Sequence, residues 1–320
     1  MPTDAQALFS AAALCVAGNL NRDVKVVGAP DSAGLLRDGE TGVAAILETV
    51  GGGGANSACA AAALGARVGF VGKTGADALG ERLRQALERH GVSAHLERDP
   101  GCATGTTVAL GYASGQRHFL SWLPNNRTLA FEDLDLSALE GCRHLLRADV
   151  WFSQPMLEGG NRRLFLAARQ RGLATSLDIN FDPEWSAGPS AAIARRKQQL
   201  RETLELVDLA HGNTRELCEF TDSPDLDTAL RRLTDWGVKA VVAHLGSQGA
   251  GYYRDGQLAI EPPDLAVNPL NSTGTGDVLS VCMILLDAAP ELSARQKLRL
   301  ANGIVREFME GRRKLIPELE

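Results

Sequence analysis

The sequence predicts an α/β fold of three layers, with helices on both faces of a mainly parallel β-sheet. Strand-like and helix-like segments alternate along nearly all of the 320 residues, as they do when helices connect parallel strands. A hydrophobic fraction of 44% and a charged fraction of 22% allow a large buried core. We expect residues 1–320 to form a single domain.

Two segments interrupt this alternation. Residues 20–50 contain no clear helix and are punctuated by glycine and proline. Residues 105–123 alternate their side chains around the dipeptide Ser114-Gly115, as a β-hairpin does. Because both segments favour β structure, we expect them to pair into a small second sheet that forms a lid over one end of the main sheet.

Short apolar runs predict the strands of the main sheet, and apolar residues at every third or fourth position predict its helices. Glycine follows two of these helices directly, at Gly65 and Gly91, and favours a helix end. The expected strands are residues 12–17, 67–71, 145–151, 174–179, 207–210 and 239–244. The expected helices are residues 58–64, 76–90, 162–171, 191–204, 226–236, 277–287 and 294–309.

The composition argues against several classes of partner. The net charge is −6 and no basic stripe is present, so neither nucleic acid nor an anionic membrane is expected as the main partner. The apolar stretches are too short to span a bilayer, and the N-terminus lacks the basic start of a signal peptide. The six cysteines are scattered without a CxxC pair, which predicts reduced thiols in a cytoplasmic protein.

Residues 271–277, with the sequence NSTGTGD, lead into the predicted helix 277–287. Small residues let backbone amides converge, and the positive end of the following helix points at them, which makes an anion site. Asp277 at its mouth has two interpretations: a helix N-cap, or a general base beside a phosphate cradle. Alone, the motif favours the cap.

Residues 50–58, with the sequence VGGGGANSA, lead into an alanine-rich helix. Four successive glycines lose much conformational entropy on folding, so a local reason for them is expected. Close approach of a ligand to the backbone is one candidate reason, and a hinge for the lid is another. Asn56 is either a ligand contact or a helix cap.

Asn213 and Glu216 lie three residues apart, just after the predicted strand 207–210. This spacing fits a capping arrangement at the start of a helix. It also fits a hydrated Mg²⁺ site, because Mg²⁺ prefers oxygen ligands and keeps several of its waters.

Residues 69–74, with the sequence GFVGKT, imitate the end of a P-loop. The motif requires a glycine five residues before Gly72, and Arg67 stands there. Since Arg67 also lies in a predicted strand, no loop is left to wrap a phosphate and a P-loop is not expected.

Together these segments resemble the PfkB, or ribokinase-like, family of carbohydrate kinases over nearly the whole chain. Each motif is modest in isolation, but their common order and spacing make a strong match. The matching segments are residues 18–23 (GNLNRD, a substrate loop), 51–58 with 69–77 (the first signature), 178–185 (DINFDPEW, a sugar-kinase segment), 213–216 (the N-x-x-E motif), 245–249 (LGSQG, a nucleotide-side loop) and 271–277 (the second signature).

The resemblance implies an α/β/α core with a β lid and an enzyme that phosphorylates a hydroxyl group with ATP and Mg²⁺. A monovalent cation is a further candidate cofactor. Asp277 is implied as the general base, with an anion hole formed by Gly274, Thr275 and Gly276. The implied ligand contacts are Asn19, Asp23, Gly51, Gly52 and Asn56 for the substrate, Asn213, His244, Gly246, Gly249 and Asn302 for the nucleotide, and Glu216 with Asn213 for the metal.

The chain departs from the family pattern at several positions. Asp182 stands where related sugar kinases often carry arginine, so a contact to a phosphate or a sugar acid is expected to be missing. The other departures spare Asp277, the glycines and Glu216, so we expect activity to survive. They are Asn271 for a usual aspartate, His244 for a common threonine, Cys282 for a frequent glycine, and an unusual ending at residues 312–320.

The segment after Asn56 favours a substrate without a phosphate, such as a free sugar or a nucleoside. Relatives that act on phosphorylated sugars tend to carry a basic residue there, whereas Ser57-Ala58-Cys59 is uncharged. The alternatives are a kinase of a sugar acid or sugar phosphate, and a non-catalytic ligand-binding protein of the same fold. A dinucleotide-dependent dehydrogenase is disfavoured because no GxGxxG follows the first strand. An exposed lid edge would favour a homodimer.

Overall fold

The computed structural model describes residues 3–30, 38–112, 117–186, 188–263 and 273–319. The predicted turn at Ser114-Gly115 and the departure at Asn271 lie outside these residues. None of the helices in the described ranges has the length and apolar character needed to cross a bilayer.

The main sheet has nine strands in the order β13-β12-β11-β10-β9-β8-β1-β4-β5. The seven strands from β11 to β5 are parallel, and β12 and β13 add an antiparallel hairpin at one edge. This confirms the predicted mainly parallel sheet. The strands are β1 (Ala13–Ala17), β4 (Arg67–Gly75), β5 (Val92–Asp99), β8 (His144–Arg147), β9 (Ala174–Asp178), β10 (Leu209–Asn213), β11 (Ala240–His244), β12 (Ala250–Arg254) and β13 (Gln257–Glu261).

Helices cover both faces of this sheet and give two separate hydrophobic cores. Neighbouring residues of a strand point to opposite faces, and accordingly Leu145 belongs to one core and Leu146 to the other. The helices are α1 (Thr3–Ser10), α2 (Gly53–Ala63), α3 (Ala78–Arg89), α4 (Pro124–Arg127), α5 (Asn161–Gln170), α6 (Ser190–Arg201), α7 (Thr214–Thr221), α8 (Leu226–Asp235), α9 (Thr275–Asp287) and α10 (Ala294–Met309).

The two interrupting segments form the small second sheet that the sequence predicts. Its order is β3-β2-β6-β7, with β2 parallel to β6 and the other two pairs antiparallel. Asp23 lies in register with Thr49 on one side and Thr107 on the other. The four strands are β2 (Asn21–Ala29), β3 (Ala45–Gly51), β6 (Thr106–Tyr112) and β7 (Arg117–Trp122).

Several predicted boundaries are wrong for local reasons. Helix α1 precedes β1, although the N-terminus was expected to contribute only a strand. Strand β8 ends at Arg147 rather than at residue 151, because Asp149 turns the chain with a left-handed φ of 56°. Helix α2 begins at Gly53 rather than at Ala58, so two of the four glycines lie in its first turn and Gly52 is its N-cap. Strands β5, β12 and β13 were not predicted.

Residues 69–74 lie inside strand β4, so they do not form the loop of a P-loop motif. The Lys73 ammonium group pairs with Asp99 at 3.0 Å and with Asp133 at 3.1 Å. This lysine therefore has a structural role at the end of the strand.

Candidate active site

Most of the predicted site residues lie at one edge of the main sheet. The carboxyl ends of parallel strands meet at one edge, where ligands bind in open α/β sheets. Helix α9 begins at the same edge and brings Asp277 there. The residues placed at or just beyond the strand ends are Asn19 after β1, Asp149 after β8, Asn180 after β9, Asn213 at the end of β10 and His244 at the end of β11.

Asp149 binds the backbone of the glycine segment. Its Oδ2 accepts hydrogen bonds from Gly54 N at 2.7 Å and Asn19 N at 2.9 Å, and its Oδ1 accepts one from Gly53 N at 3.1 Å. Its own amide donates to Asn180 Oδ1 at 2.7 Å. The carboxylate thus joins the end of β1 to the start of α2, and the backbone amide of the same residue joins them to the end of β9.

The glycines are required by close packing at the start of α2. A Cβ atom on Gly54 would lie 2.6 Å from the Cα of Gly18, so these two backbones touch. A Cβ atom on Gly51 would lie 2.0 Å from Asp23 Oδ1. Gly52 has φ +95° and would meet the Asn19 carbonyl oxygen. The sequence offered two reasons for the run of glycines, ligand approach and a hinge. The structure gives a third reason, which is close contact between two backbone segments.

Asp277 lies in the first turn of α9, with its carboxyl group facing the glycine segment. Asn56 Nδ2 donates a hydrogen bond to Asp277 Oδ2 at 3.0 Å. A Cβ atom on Gly53 would lie 3.4 Å from Asp277 Oδ1. The helix is capped by Gly274, which makes no side-chain cap bond. Asp277 is therefore not the N-cap but the third residue of the helix, and its carboxyl group faces Asn56.

Burial is the largest influence on Asp277 and raises its pKa well above the ordinary value. The Asn56 amide opposes this effect, and the charges of Asp149, Asp23 and Glu216 reinforce it. A carboxylate with a raised pKa is a stronger proton acceptor than an exposed one, which suits a general base.

The three residues predicted to form the anion hole lie at the start of α9. Gly274 takes a left-handed φ of 87°, and Thr275 and Gly276 begin α9. The backbone amides of the first helical turn have no partner within the helix, and the helix dipole adds a positive potential. A Cβ atom on Gly276 would lie 3.2 Å from His244 Nδ1.

Asn213 and Glu216 form a complete capping box at the start of α7. Glu216 N donates to Asn213 Oδ1 at 3.0 Å, and Asn213 N donates to Glu216 Oε2 at 2.7 Å. Burial raises the pKa of Glu216, and the Asn213 hydrogen bonds lower it. The structure therefore shows the capping arrangement, and the metal role of Glu216 stays a prediction.

The residues predicted for the nucleotide, apart from Asn213 at the end of β10, lie around β11 and β13. His244 Nε2 lies 3.3 Å from Ser280 Oγ, and burial lowers the pKa of His244 to about 4. Gly246 has φ +58° with open space around it, whereas a Cβ atom on Gly249 would lie 2.1 Å from the Glu261 carbonyl oxygen. Asn302 Nδ2 donates to the carbonyl oxygens of Glu261 at 3.2 Å and Pro262 at 3.0 Å.

The small sheet brings Asp23 to the glycine segment. Asn21 Nδ2 donates to Asp23 Oδ1 at 2.8 Å and lies 3.4 Å from Thr107 Oγ1. Burial raises the pKa of Asp23 to about 6, while Lys25 and the Asn21 hydrogen bond lower it. Asn19, the remaining predicted substrate contact, is buried and uses its carbonyl oxygen to accept a bond from Ala55 N at 3.2 Å.

Sequence reasoning missed Asp149, Asn21 and Lys25. Asp149 was placed inside a predicted strand, where a carboxylate in an apolar run was the available signal. Asn21 and Lys25 flank Asp23 at alternate positions of β2, so strand periodicity would have placed all three on one face.

The structure also explains the departure at Asp182. This fully buried carboxylate pairs with Arg196 of α6, at 2.7 Å from Nε and 3.2 Å from Nη2. Arg196 further contacts Gln154 Oε1 at 3.1 Å and the Trp151 carbonyl oxygen. Asp182 is thus part of a structural ion pair, and Arg196 uses its other hydrogen bonds on Gln154 and Trp151.

A model of the pfkB family carbohydrate kinases matches residues 12–303. The chain belongs to this family. It is therefore a phosphotransferase that acts on a sugar hydroxyl group, and the matched residues include the glycine segment and Asp277 described above.

Named relatives agree with this assignment. The chain is 26% identical over 270 residues to an Arabidopsis thaliana protein named "Probable fructokinase-4", covering 80% of each chain. It is 27% identical over 280 residues to a ribokinase from Arabidopsis thaliana, covering 83% of this chain and 68% of the relative. Among solved structures, Arabidopsis thaliana ribokinase complexed with ribose and ATP superposes with a TM-score of 0.72 at 22% identity, covering 94% and 93% of the two chains.

Proposed function

We propose that this carbohydrate kinase transfers the γ-phosphoryl group of ATP to a hydroxyl of an unphosphorylated sugar or nucleoside, with Asp277 as the general base. The observation that carries the proposal is the position of Asp277. Its carboxyl group lies within one helical turn of the backbone of residues 274–276 at the start of α9 and is hydrogen-bonded by Asn56 at 3.0 Å.

The chain would contribute alignment, charge stabilisation and proton acceptance, which are what phosphoryl transfer requires. Asp277 orients the attacking hydroxyl and takes its proton as the new oxygen–phosphorus bond forms and the bond to the departing ADP breaks. The amides of Gly274, Thr275 and Gly276 stabilise the negative charge on the transferred group. Asn56 fixes the orientation of the Asp277 carboxyl.

The nucleotide would lie along the carboxyl ends of β10 and β11, near Asn213, His244, Gly246, Gly249 and Asn302. Mg²⁺ would neutralise the phosphates from the side of Glu216 and Asn213, since Mg²⁺ typically uses one or two protein carboxylates together with phosphates and waters. The monovalent cation remains a prediction, because Asn271 lies outside the described residues.

Replacing Glu216 by glutamine should raise the Mg²⁺ concentration for half-maximal turnover by about tenfold, a typical effect of an outer-shell ligand. Glutamine keeps an acceptor for Asn213 N, so α7 should stay capped. The measurement is a Mg²⁺ titration at fixed total ATP. Glu219→Gln, in the same helix and pairing with Lys197 at 3.9 Å, is the control. A Glu216→Gln curve that overlays the control would contradict the metal role.

The small sheet would act as a lid that excludes water from the transfer site. Asp23 on its inner face approaches the glycine segment, and Arg117 of β7 donates to Thr273 Oγ1 at 3.1 Å beside the anion hole. The sheet thus contacts both the expected substrate side and the expected phosphate side of the site.

A neutral polyol suits the substrate side. The Asp23 carboxylate accepts hydrogen bonds and the Asn56 amide both donates and accepts them, as sugar hydroxyls require. Asp182, at the position where related kinases carry arginine, pairs with Arg196, so this segment offers no free cation to a substrate phosphate.

The test is ADP release measured across free hexoses, pentoses, nucleosides, sugar acids and sugar phosphates. We expect turnover of a free sugar or nucleoside, and Asp23→Ala should then lower kcat/KM for it by about a hundredfold or more while the KM for ATP stays within about twofold. Turnover of sugar phosphates or sugar acids alone would support the alternative substrate classes. ATP binding without turnover of any acceptor would indicate a non-catalytic ligand-binding protein.

We further propose a homodimer formed through the lid. Ile46, Leu120 and Trp122 lie on the face of the small sheet opposite Asp23 and are 64%, 55% and 62% exposed. Such an apolar face suits a second copy of the same sheet. Sedimentation velocity should give a dimer for the wild type and a monomer for Trp122→Glu. A monomeric wild type at micromolar concentration would contradict the proposal.

A further inference from the structure

The segment 315–319 near the C-terminus pairs with the edge of the small sheet. Strand β3 is an edge strand of that sheet, and its Thr49 faces Glu318 in an antiparallel bridge. The pairing gives β3 the second neighbour that an edge strand lacks. The two hydrogen bonds that flank the bridge run from Val50 N to Pro317 O at 3.1 Å and from Leu319 N to Glu48 O at 2.9 Å.

The same segment is anchored in the core beside the anion hole. Leu315 is fully buried in the core that contains α9 and α10, and His90 Nε2 donates to its carbonyl oxygen at 3.2 Å. Ile316 packs against the capping glycine of α9, since a Cβ atom on Gly274 would lie 2.7 Å from Ile316 Cδ1. Within five residues the chain therefore contacts the core, the capping residue Gly274 and the small sheet.

The bridge directs Glu318 to the face of the sheet that carries Asp23. Residues directly opposite each other in a β-ladder point to the same face. Glu318 lies opposite Thr49, and Thr49 lies opposite Asp23. These three residues therefore form a row across the inner face, with two carboxylates separated by a hydroxyl group.

Lys25 completes a set of charges on this face. It lies two residues from Asp23 on β2, so its side chain is on the same side. Burial lowers the pKa of Lys25, and the nearby carboxylates of Asp23, Glu318 and Asp277 oppose that effect. One ammonium group among three carboxylates offers both donors and acceptors without an excess positive charge, which suits hydroxyl groups better than a phosphate.

We propose that residues 315–319 are a working part of the active site. The segment forms a fifth strand of the lid, and Ile316 positions that lid against Gly274 at the start of α9. Glu318 accepts a hydrogen bond from a hydroxyl group of the sugar or nucleoside. The role of Glu318 rests on the proposed function, whereas the pairing with β3 can be tested without any substrate.

The specificity role is tested with Glu318→Gln and Glu318→Asp. The glutamine variant should raise the KM for the sugar about tenfold, which corresponds to one hydrogen bond to a charged acceptor, with the KM for ATP and the melting temperature unchanged. The aspartate variant should recover part of the loss, since it restores the carboxylate. Glu291→Gln, at an exposed position between α9 and α10, is the matched control.

The positioning role is tested with Leu319→Pro against Leu319→Ala. Both variants lose the leucine side chain, but only proline removes the amide that donates to Glu48 O. We expect faster hydrogen exchange across residues 45–51 and a higher ratio of sugar-free to sugar-dependent ADP release in the proline variant. Exchange in the core strands β8 and β9 should match in the two variants.

The outcomes separate this inference from the proposed function. If a sugar is turned over normally and Glu318→Gln and Leu319→Pro behave like their controls, the inference is wrong and the function stands. If no acceptor is turned over by the wild type, the proposed function and the role of Glu318 fail together, and the exchange measurement still decides the pairing. Equal hydrogen exchange across residues 45–51 in the two Leu319 variants would overturn the proposed role of the pairing with β3.

Discussion

Replacing Asp277 by asparagine should lower kcat by about a hundredfold or more, the usual contribution of a general base. The amide is isosteric with the carboxyl group but does not accept a proton. Folding should be preserved or slightly improved, because the change removes a buried charge that lies near Asp149, Asp23 and Glu216. The measurements are steady-state ADP release, ATP affinity and thermal unfolding.

The pH profile separates a general base from a residue that has only a structural role at the start of the helix. Because the pKa of Asp277 is raised, wild-type kcat should fall as the pH falls through that pKa, and the residual rate of Asp277→Asn should lose this acid limb. Asp227→Asn changes another aspartate in the first turn of a helix, α8, where the side chain is exposed and pairs with Arg231. If Asp277→Asn and this control had similar kcat values, Asp277 would be only a helix-terminal residue.

Replacing Asp149 by asparagine should lower the free energy of unfolding by about 3 kcal/mol, because hydrogen bonds to a charged acceptor each contribute about 1.5–3 kcal/mol. Both oxygens of Asp149 accept bonds from backbone amides, of Gly54 and Asn19 on one side and Gly53 on the other. An amide side chain would turn an NH₂ group towards one of those donors. Urea unfolding measures the loss.

The same substitution should also lower kcat/KM by about a hundredfold, because a displacement of about 1 Å in an aligned site has effects of that size. The glycine segment carries Asn56, which binds Asp277. Asp255→Asn is the matched control: it also has a left-handed φ, 51°, but lies in the exposed turn between β12 and β13. Equal stability of the Asp149 and Asp255 variants would show that the three amides do not depend on the carboxylate.

The sequence by itself determined the layers of the fold and the identity of the family. Apolar runs and helical periodicity are local properties, so six of the seven parallel strands could be predicted from the sequence. Strand β5 and the antiparallel hairpin β12–β13 could not. Asp277 was selected as a candidate from a contiguous motif for the same reason, since the loop, the helix start and the carboxylate are neighbours along the chain. Its role as general base came from the resemblance and stays a prediction.

The tertiary structure alone decided how distant segments meet. The carboxylate of Asp149 lies 95 residues from Gly54, which it binds, and Glu318 lies opposite Thr49, from the other end of the chain. No periodic pattern identifies the partner of either residue, because each contact depends on a loop conformation after a strand or helix. Backbone amides, which make most of these contacts, have the same chemistry at every residue. Their partners are therefore selected by the folded chain path, and a pattern of side chains does not specify them.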